Sequence, residues 1–170
     1  MPSEQKLERL YDEHATALFA FLLNLTRDET DTRDCLQDVF VKLARNPSLL
    51  DGVRNQRAYL LRLAHNQAID LIRRRDTRDR HHSALVLDSA DLFASTKDPD
   101  EAAYRQKLAG ALGELPADQR AVVHLKLWEG LTFEQIAEAL GISPNTAASR
   151  YRYGLDKLRT RLRPLYEELK

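Results

Sequence analysis

Asn145, Thr146, Ser149, Arg150 and Arg152 lie close together near the start of a helically periodic stretch. That combination is suited to reading DNA. An asparagine amide or an arginine guanidinium can make paired hydrogen bonds to one base edge in a major groove, while serine and further arginines hold phosphates. A second basic concentration, Arg54, Arg57, Arg62, Arg73, Arg74, Arg75, Arg78 and Arg80, falls in the first half of the chain. Both imply contact with a polyanion rather than bond making. The sequence has no phosphate-cradling glycine loop and no nucleophile motif, so we expect no catalytic residue and no cofactor. Cys35, His65 and the pair His81-His82 are metal-binding types, but their spacing supplies no ligand set and no metal is expected. Cys35 falls on an apolar helix stripe and reads as a small core residue.

The formal net charge is zero over 170 residues, which at first argues against nucleic acid. Its distribution reverses that inference. Acids (Asp28, Glu29, Asp31, Asp34, Asp38) crowd the stretch before residue 54, arginines follow, residues 84–103 turn acidic again, and the last helix is basic (Arg150, Arg152, Lys157, Arg159, Arg161, Arg163). Two basic patches separated by an acidic segment suit two contacts with one polyanion. A single cysteine cannot form an internal disulfide, the polar start of the chain lacks a signal-peptide core, and no apolar run is long enough to cross a membrane. A cytoplasmic protein is expected.

The elements that must position these residues read as helical throughout. Thr132-Phe133-Glu134-Gln135 is a capping box, Ile136, Ala137 and Leu140 face inward, and Gly141 can take the left-handed conformation that ends a helix. Ser143-Pro144 opens the next helix, small Ala147 permits a close crossing, and Tyr151, Leu155, Leu158 and Leu162 continue the inner face. This is a helix-turn-helix with a basic outer face. The plainer alternative is a surface helical hairpin with a solvated face.

Upstream, Leu7, Leu10, Tyr11, His14, Leu18, Phe21, Leu22 and Leu25 form one amphipathic face. Asp28 caps a second helix with the stripe Leu36, Val39, Phe40 and Leu43, which stops near Asn46-Pro47. A third helix, from about Arg57 to Arg75, buries Leu60, Leu61, Ala64, Ala68, Leu71 and Ile72. Residues 77–97 lose the long period, with at most a helical turn at Ala90–Phe93. Asp98-Pro99-Asp100-Glu101 opens a helix whose inner face is Tyr104, Leu108, Ala111, Leu112 and Leu115, and Pro116 starts another that runs to Trp128. The expected fold is all-α: a three-helix domain over 1–80, a flexible linker over 81–97, and a four-helix domain over 98–170.

The run Asp34-Cys35-Leu36-Gln37-Asp38-Val39-Phe40, then Tyr59-Leu60-Leu61-Arg62-Leu63-Ala64-His65-Asn66 and Ala68-Ile69-Asp70-Leu71-Ile72-Arg73-Arg74-Arg75, resembles region two of extracytoplasmic-function sigma factors. Leu112 through Leu162 resembles their region four. The resemblance implies that Asp34, Gln37 and Asp38 dock on core RNA polymerase. It implies that Arg54, Asn55, Arg57, Arg62, Asn66, Arg73, Arg74 and Arg75 serve the melted −10 element, with a flipped base near Asp51–Gln56. It implies that Asn145, Thr146, Ser149, Arg150 and Arg152 read the −35 duplex. Gln56 and Tyr59 stand where the family often has Phe and Trp, and Ala148 where arginine is frequent. An anti-sigma factor is a common partner in the resembled class.

Two other readings use the same residues. An autonomous helix-turn-helix regulator would bind without polymerase and usually as a dimer, whereas no dimerisation helix and no obligate homo-oligomer are expected here. An interaction protein that sequesters a regulator would keep the domains without needing both basic faces. For a sigma factor, each domain alone binds DNA weakly, and polymerase holds the two at promoter spacing so that their affinities reinforce each other.

Overall fold

The computed structural model describes residues 2–78 and 98–168. The linker read over 81–97, the turn at Ala90–Phe93 and His81-His82 lie outside the described residues. Among those described there are seven α-helices, one 3-10 turn and no strand: α1 (Pro2–Thr26), α2 (Glu29–Arg45), the turn Pro47–Leu50, α3 (Gln56–Arg78), α4 (Pro99–Gly113), α5 (Ala117–Leu127), α6 (Phe133–Leu140) and α7 (Pro144–Glu168).

Local chemistry sets most of the boundaries. The Asp28 carboxylate accepts from the Asp31 amide at 2.8 Å and caps α2, and the helix ends at Arg45 before Asn46-Pro47. Asn55 Oδ1 accepts from the Ala58 amide at 3.0 Å and caps α3. Asp98 caps α4 with Pro99 in its first turn, while Glu101 pairs along the helix with Arg105. Tyr104, expected on the inner face, is 43% exposed; Ala111, Leu112 and Leu115 are buried as expected.

Helices α1, α2 and α3 pack on one another around Phe21, Leu22, Val39, Leu43, Leu60, Leu61 and Ala64. In the second half α5, α6 and α7 form the helix-turn-helix unit, with α4 packed along α7. The Phe133 ring meets Tyr151 edge-on at 5.5 Å, and Lys126 Nζ lies 4.6 Å above the Phe133 ring. Gly154, inside α7, is the close-approach point: a Cβ there would stand 2.7 Å from Val123 Cγ2 of α5.

The two halves also pack against each other, α1 on α5 and α3 on α6. Ala121, Val122, Leu125, Ile136 and Ala147 belong to the same apolar cluster as Phe21, Leu25 and Leu61. A smaller cluster of Ala111, Leu112, Leu115, Val123 and Leu158 closes the far side. Residues 21–26 of α1 are therefore buried on every side. A helix wrapped all round needs partners for its polar groups as well as apolar cover.

Those partners come from across the junction. Arg120 of α5, 7% exposed, donates to the carbonyls of Leu115 (3.0 Å) and Gly113 (3.3 Å) in its own half and to Leu25 O of α1 at 2.8 Å. Arg75 of α3 donates to the next carbonyl, Thr26 O, at 2.8 Å. Two guanidiniums thus satisfy terminal carbonyls of α1 where the helix dipole is negative. Burial, with nearby Arg27 and Arg75, lowers the Arg120 pKa to about 10. Arg27 itself sits at φ 61, a left-handed backbone that costs a non-glycine residue about 1 kcal/mol. Its Nη2 donates to Ala109 O of α4 at 2.7 Å.

Candidate nucleic-acid interface

The helix-turn-helix is built as its residues dictate. The Thr132 hydroxyl accepts from the Gln135 amide at 3.1 Å, and Gln135 Oε1 accepts from the Thr132 amide at 2.9 Å. Gly141 takes φ 69, and the amides of Gly141 and Ile142 both return to Ala137 O. Such a turn suits glycine because a Cβ is strained there. Ser143 Oγ accepts from the Thr146 amide at 3.0 Å and opens α7, and its hydroxyl also meets that of Thr146 at 2.9 Å.

On α7, Asn145, Ser149 and Arg152 follow one another at four- and three-residue steps, so they share a face. Asn145 and Arg152 are exposed, and Arg152 lies over the Tyr153 ring at 5.4 Å. Tyr153 is itself 55% exposed beside this stripe and was not singled out by sequence. Arg150 is off the stripe, half-buried, with Nε 3.5 Å from Asp118 of α5. Thr146 is half-buried and spends its hydroxyl on Ser143.

On α3 and the loop before it, Arg54, Asn55, Arg62, Asn66, Arg73 and Arg74 are exposed. Arg57 is turned toward the second half, where it pairs with the Glu129 carboxylate and donates to Glu129 O at 2.8 Å. Arg75 is turned inward on Asp31 (2.8 Å) and Thr26 O. Asn66 borders a depression of about 360 Å³ with Val39, Lys42, Asp70 and Arg73. That depression lies between α2 and α3, away from the loop Asp51–Gln56. His65 in the same depression is held neutral: burial lowers its pKa to about 4, aided by Arg150 and Arg73.

Asp34, Gln37 and Asp38 are exposed on α2, and Gln37 borders an apolar groove with Tyr11, Phe19, Leu36 and Phe40. Tyr11 is 49% exposed there, its ring edge-on to Phe40 at 5.0 Å. Cys35, on the opposite side of α2, is 2% exposed, and burial with neighbouring acids raises its thiol pKa to about 11, as suits a core residue. The described residues contain no cluster of metal-binding side chains and no helix long and apolar enough to cross a membrane.

Comparison with known proteins matches the two halves separately and the whole chain together. The family description "Sigma-70 region 2" fits residues 10–78, and "Sigma-70, region 4" fits residues 105–158. The ECF RNA polymerase sigma factor SigL of Mycobacterium tuberculosis is 35% identical over 94% of this chain and 90% of its own length. SigX of Bacillus subtilis, also an ECF RNA polymerase sigma factor, is 30% identical over 98% of this chain and 88% of its own. Among solved structures, the sigma factor RpoE in complex with the anti-sigma factor NepR from Bartonella quintana has a TM-score of 0.78 at 22% identity, covering 94% of this chain and 98% of that one. CnrH in complex with the cytosolic domain of CnrY gives 0.68 at 25% identity, over 95% and 90%.

Proposed function

This chain belongs to the extracytoplasmic-function RNA polymerase sigma factors, and from that membership we propose how its surfaces divide the work of promoter recognition. It binds core RNA polymerase and directs promoter-specific transcription initiation; the bond-making chemistry belongs to the polymerase. The α2 face of Asp34, Gln37 and Asp38, with the apolar groove beside it, docks on the polymerase. Carboxylates at the rim steer and orient, and the groove supplies burial.

The single observation that carries the DNA assignment is the co-existence, in one chain, of two separate solvent-facing stripes. Asn145, Ser149 and Arg152 line the first, and Arg54, Arg62, Asn66, Arg73 and Arg74 the second. The first enters the major groove of the −35 duplex, with Asn145 and Arg152 on base edges and Ser149 on phosphate. The second holds the backbone of the melted −10 strand while amides such as Asn55 and Asn66 meet unstacked base edges. Arg75 anchors α3 to α1 and α2, and Arg150 orients α7 against α5; both support the surfaces more than they read DNA.

The test is a pull-down with bacterial core RNA polymerase followed by transcription from a fragment library of the source genome. Stable binding with new, defined start sites is the expected result and yields the promoter sequence. Specific duplex binding by the protein alone, with no polymerase binding, would instead favour an autonomous regulator. An anti-sigma factor, the kind of partner that accompanies the sigma factor RpoE in its solved complex, is the partner class we propose for its control.

A further inference from the structure

The exposed stripe of α7 ends on an aromatic residue that packing does not account for. At 3.6 residues per turn, Asn145, Ser149, Arg152 and Tyr153 fall within about 100° of arc. Tyr151, two residues earlier, is turned inward and meets Phe133. Tyr153 is 55% exposed, and among the described residues its hydroxyl has no hydrogen-bond partner. A large ring is thus left in solvent on the face that a duplex would cover.

The neighbouring guanidinium gives the second observation. Arg150, Arg159 and Arg161 of α7 each face a carboxylate: Asp118 at 3.5 Å, Asp156 at 3.9 Å and Glu114 at 2.6 Å. Arg152 faces none among the described residues, although Asp156 stands four residues on, at the spacing that pairs charges along a helix. It lies instead over the Tyr153 ring, with 5.4 Å from guanidinium carbon to ring centroid. The two arrangements differ in what they leave for DNA. A carboxylate occupies the N–H groups and cancels the charge, so a phosphate or base must displace it. A ring holds the guanidinium by its flat face, keeps the charge whole and leaves the N–H edge available to an acceptor.

We propose that Tyr153 is a positioning residue for −35 recognition: its ring is the platform that holds the Arg152 guanidinium, unpaired, at the far end of the DNA-facing stripe. This rests on the reading of α7 as a recognition helix and adds to it a residue that acts on DNA through another. An exposed arginine on its own samples many rotamers, and ordering it on a duplex opposes binding. The ring imposes part of that order before DNA arrives. Arg152 stands about 10 Å along α7 from Asn145, so two contacts at a fixed separation span most of a major groove roughly 12 Å wide.

The experiment is a double-mutant cycle on the full-length chain. It reads affinity for a labelled mixed-sequence duplex at low salt, and the slope of that affinity with salt. The variants are Arg152→Ala, Tyr153→Leu, the two together, and Tyr153→Phe. Tyr153→Leu should weaken duplex binding about fourfold, the size of one exposed cation–π contact. Tyr153→Phe keeps the ring and should retain the affinity. With Arg152→Ala already present, Tyr153→Leu should cause no further loss. The salt slope should fall by about one in Arg152→Ala and stay unchanged in Tyr153→Leu, where the charge remains.

Unchanged affinity in Tyr153→Leu would overturn the proposal. So would an equal loss from Tyr153→Leu with and without Arg152, since the ring would then act independently of the guanidinium. Equal losses in Tyr153→Phe and Tyr153→Leu would overturn it too, because the hydroxyl would then be the group that matters. Unchanged affinity in Arg152→Ala removes both the assignment of Arg152 to the duplex and the platform beneath it, whereas a loss in Arg152→Ala alone removes only the platform. A core-polymerase pull-down of wild type runs beside the cycle. Failure there counts against the sigma reading and leaves the cycle's result standing, because the cycle uses no polymerase.

Discussion

Asn24 and His124, a hundred residues apart in sequence, meet side chain to side chain at 3.1 Å in the buried junction. Asn24 Oδ1 accepts from Arg27, so its amide nitrogen is the donor and Nδ1 of His124 the acceptor. The imidazole is therefore neutral, with the Phe21 ring at 5.4 Å and the Trp128 ring at 5.5 Å. Burial lowers its pKa from 6.5 to about 4.

A pH dependence follows from that relationship. Below pH 6.5 the unfolded chain binds a proton that the folded chain resists until about pH 4, so stability falls with acid across that window. Above it, this residue contributes no slope. His65, lowered in the same direction by burial, acts in the same sense. Urea midpoints at pH 7.5 and 5 should differ in wild type, and the difference should shrink in His124→Gln, which keeps an acceptor for Asn24. An undiminished pH slope in that variant would remove His124 as the cause.

Arg120→Met should destabilise the fold by about 3 kcal/mol. The side chain serves the carbonyls of Gly113, Leu115 and Leu25, and methionine keeps its stem but leaves them without a donor. Relief from burying a guanidinium offsets part of this, but one of those carbonyls is a terminal acceptor of α1 with no intrahelical partner. Equilibrium unfolding in urea measures it, and a change within about 0.5 kcal/mol would show the bonds to be incidental.

Gly154→Ala should also destabilise, against the usual gain from replacing glycine inside a helix. The new methyl would stand 2.7 Å from Val123 Cγ2 in packed core, and overpacking of this kind costs about 1–3 kcal/mol against a propensity gain of about 1. Thermal melting decides the sign.

Arg74→Glu should weaken promoter opening more than polymerase binding. Arg74 is exposed on α3 in the basic stripe assigned to the melted strand, and charge reversal repels the melted backbone. Equal loss in polymerase-binding and transcription assays would refute the assignment.

On α7 the two arginines should separate. Arg152→Ala should reduce −35 duplex affinity and its salt dependence, whereas Arg150→Ala should act mainly through the lost Asp118 contact and the tilt of α7. Salt titrations of duplex binding distinguish them, because only a phosphate or base contact changes the slope.

Local signals carried the helix ends well. Asp28, Asn46-Pro47, the Thr132 capping box and Gly141 each act within a turn of their own position, so neighbouring residues suffice to read them. The off-stripe place of Arg150 was also available from periodicity, being five residues from Asn145 rather than four or seven. Tyr104 departs from the pattern: an aromatic at helical spacing reads as inward, whereas its side chain is 43% exposed on α4. What sequence could not supply was the junction. Asn24, Arg120 and His124 are polar residues that local pattern assigns to solvent, and only a partner remote in the chain turns them inward. Gly154 was likewise silent, since the close approach that requires it involves Val123 on another helix.

The shared core also has a consequence for the protein during its synthesis. Phe21 and Leu25 of α1 complete their packing only with Val122 and Leu125 of α5. At about 5–20 residues per second, a ribosome takes several seconds to supply those partners after α1 has emerged. For that interval an apolar flank of the nascent chain stands uncovered, open to chaperones and to other chains.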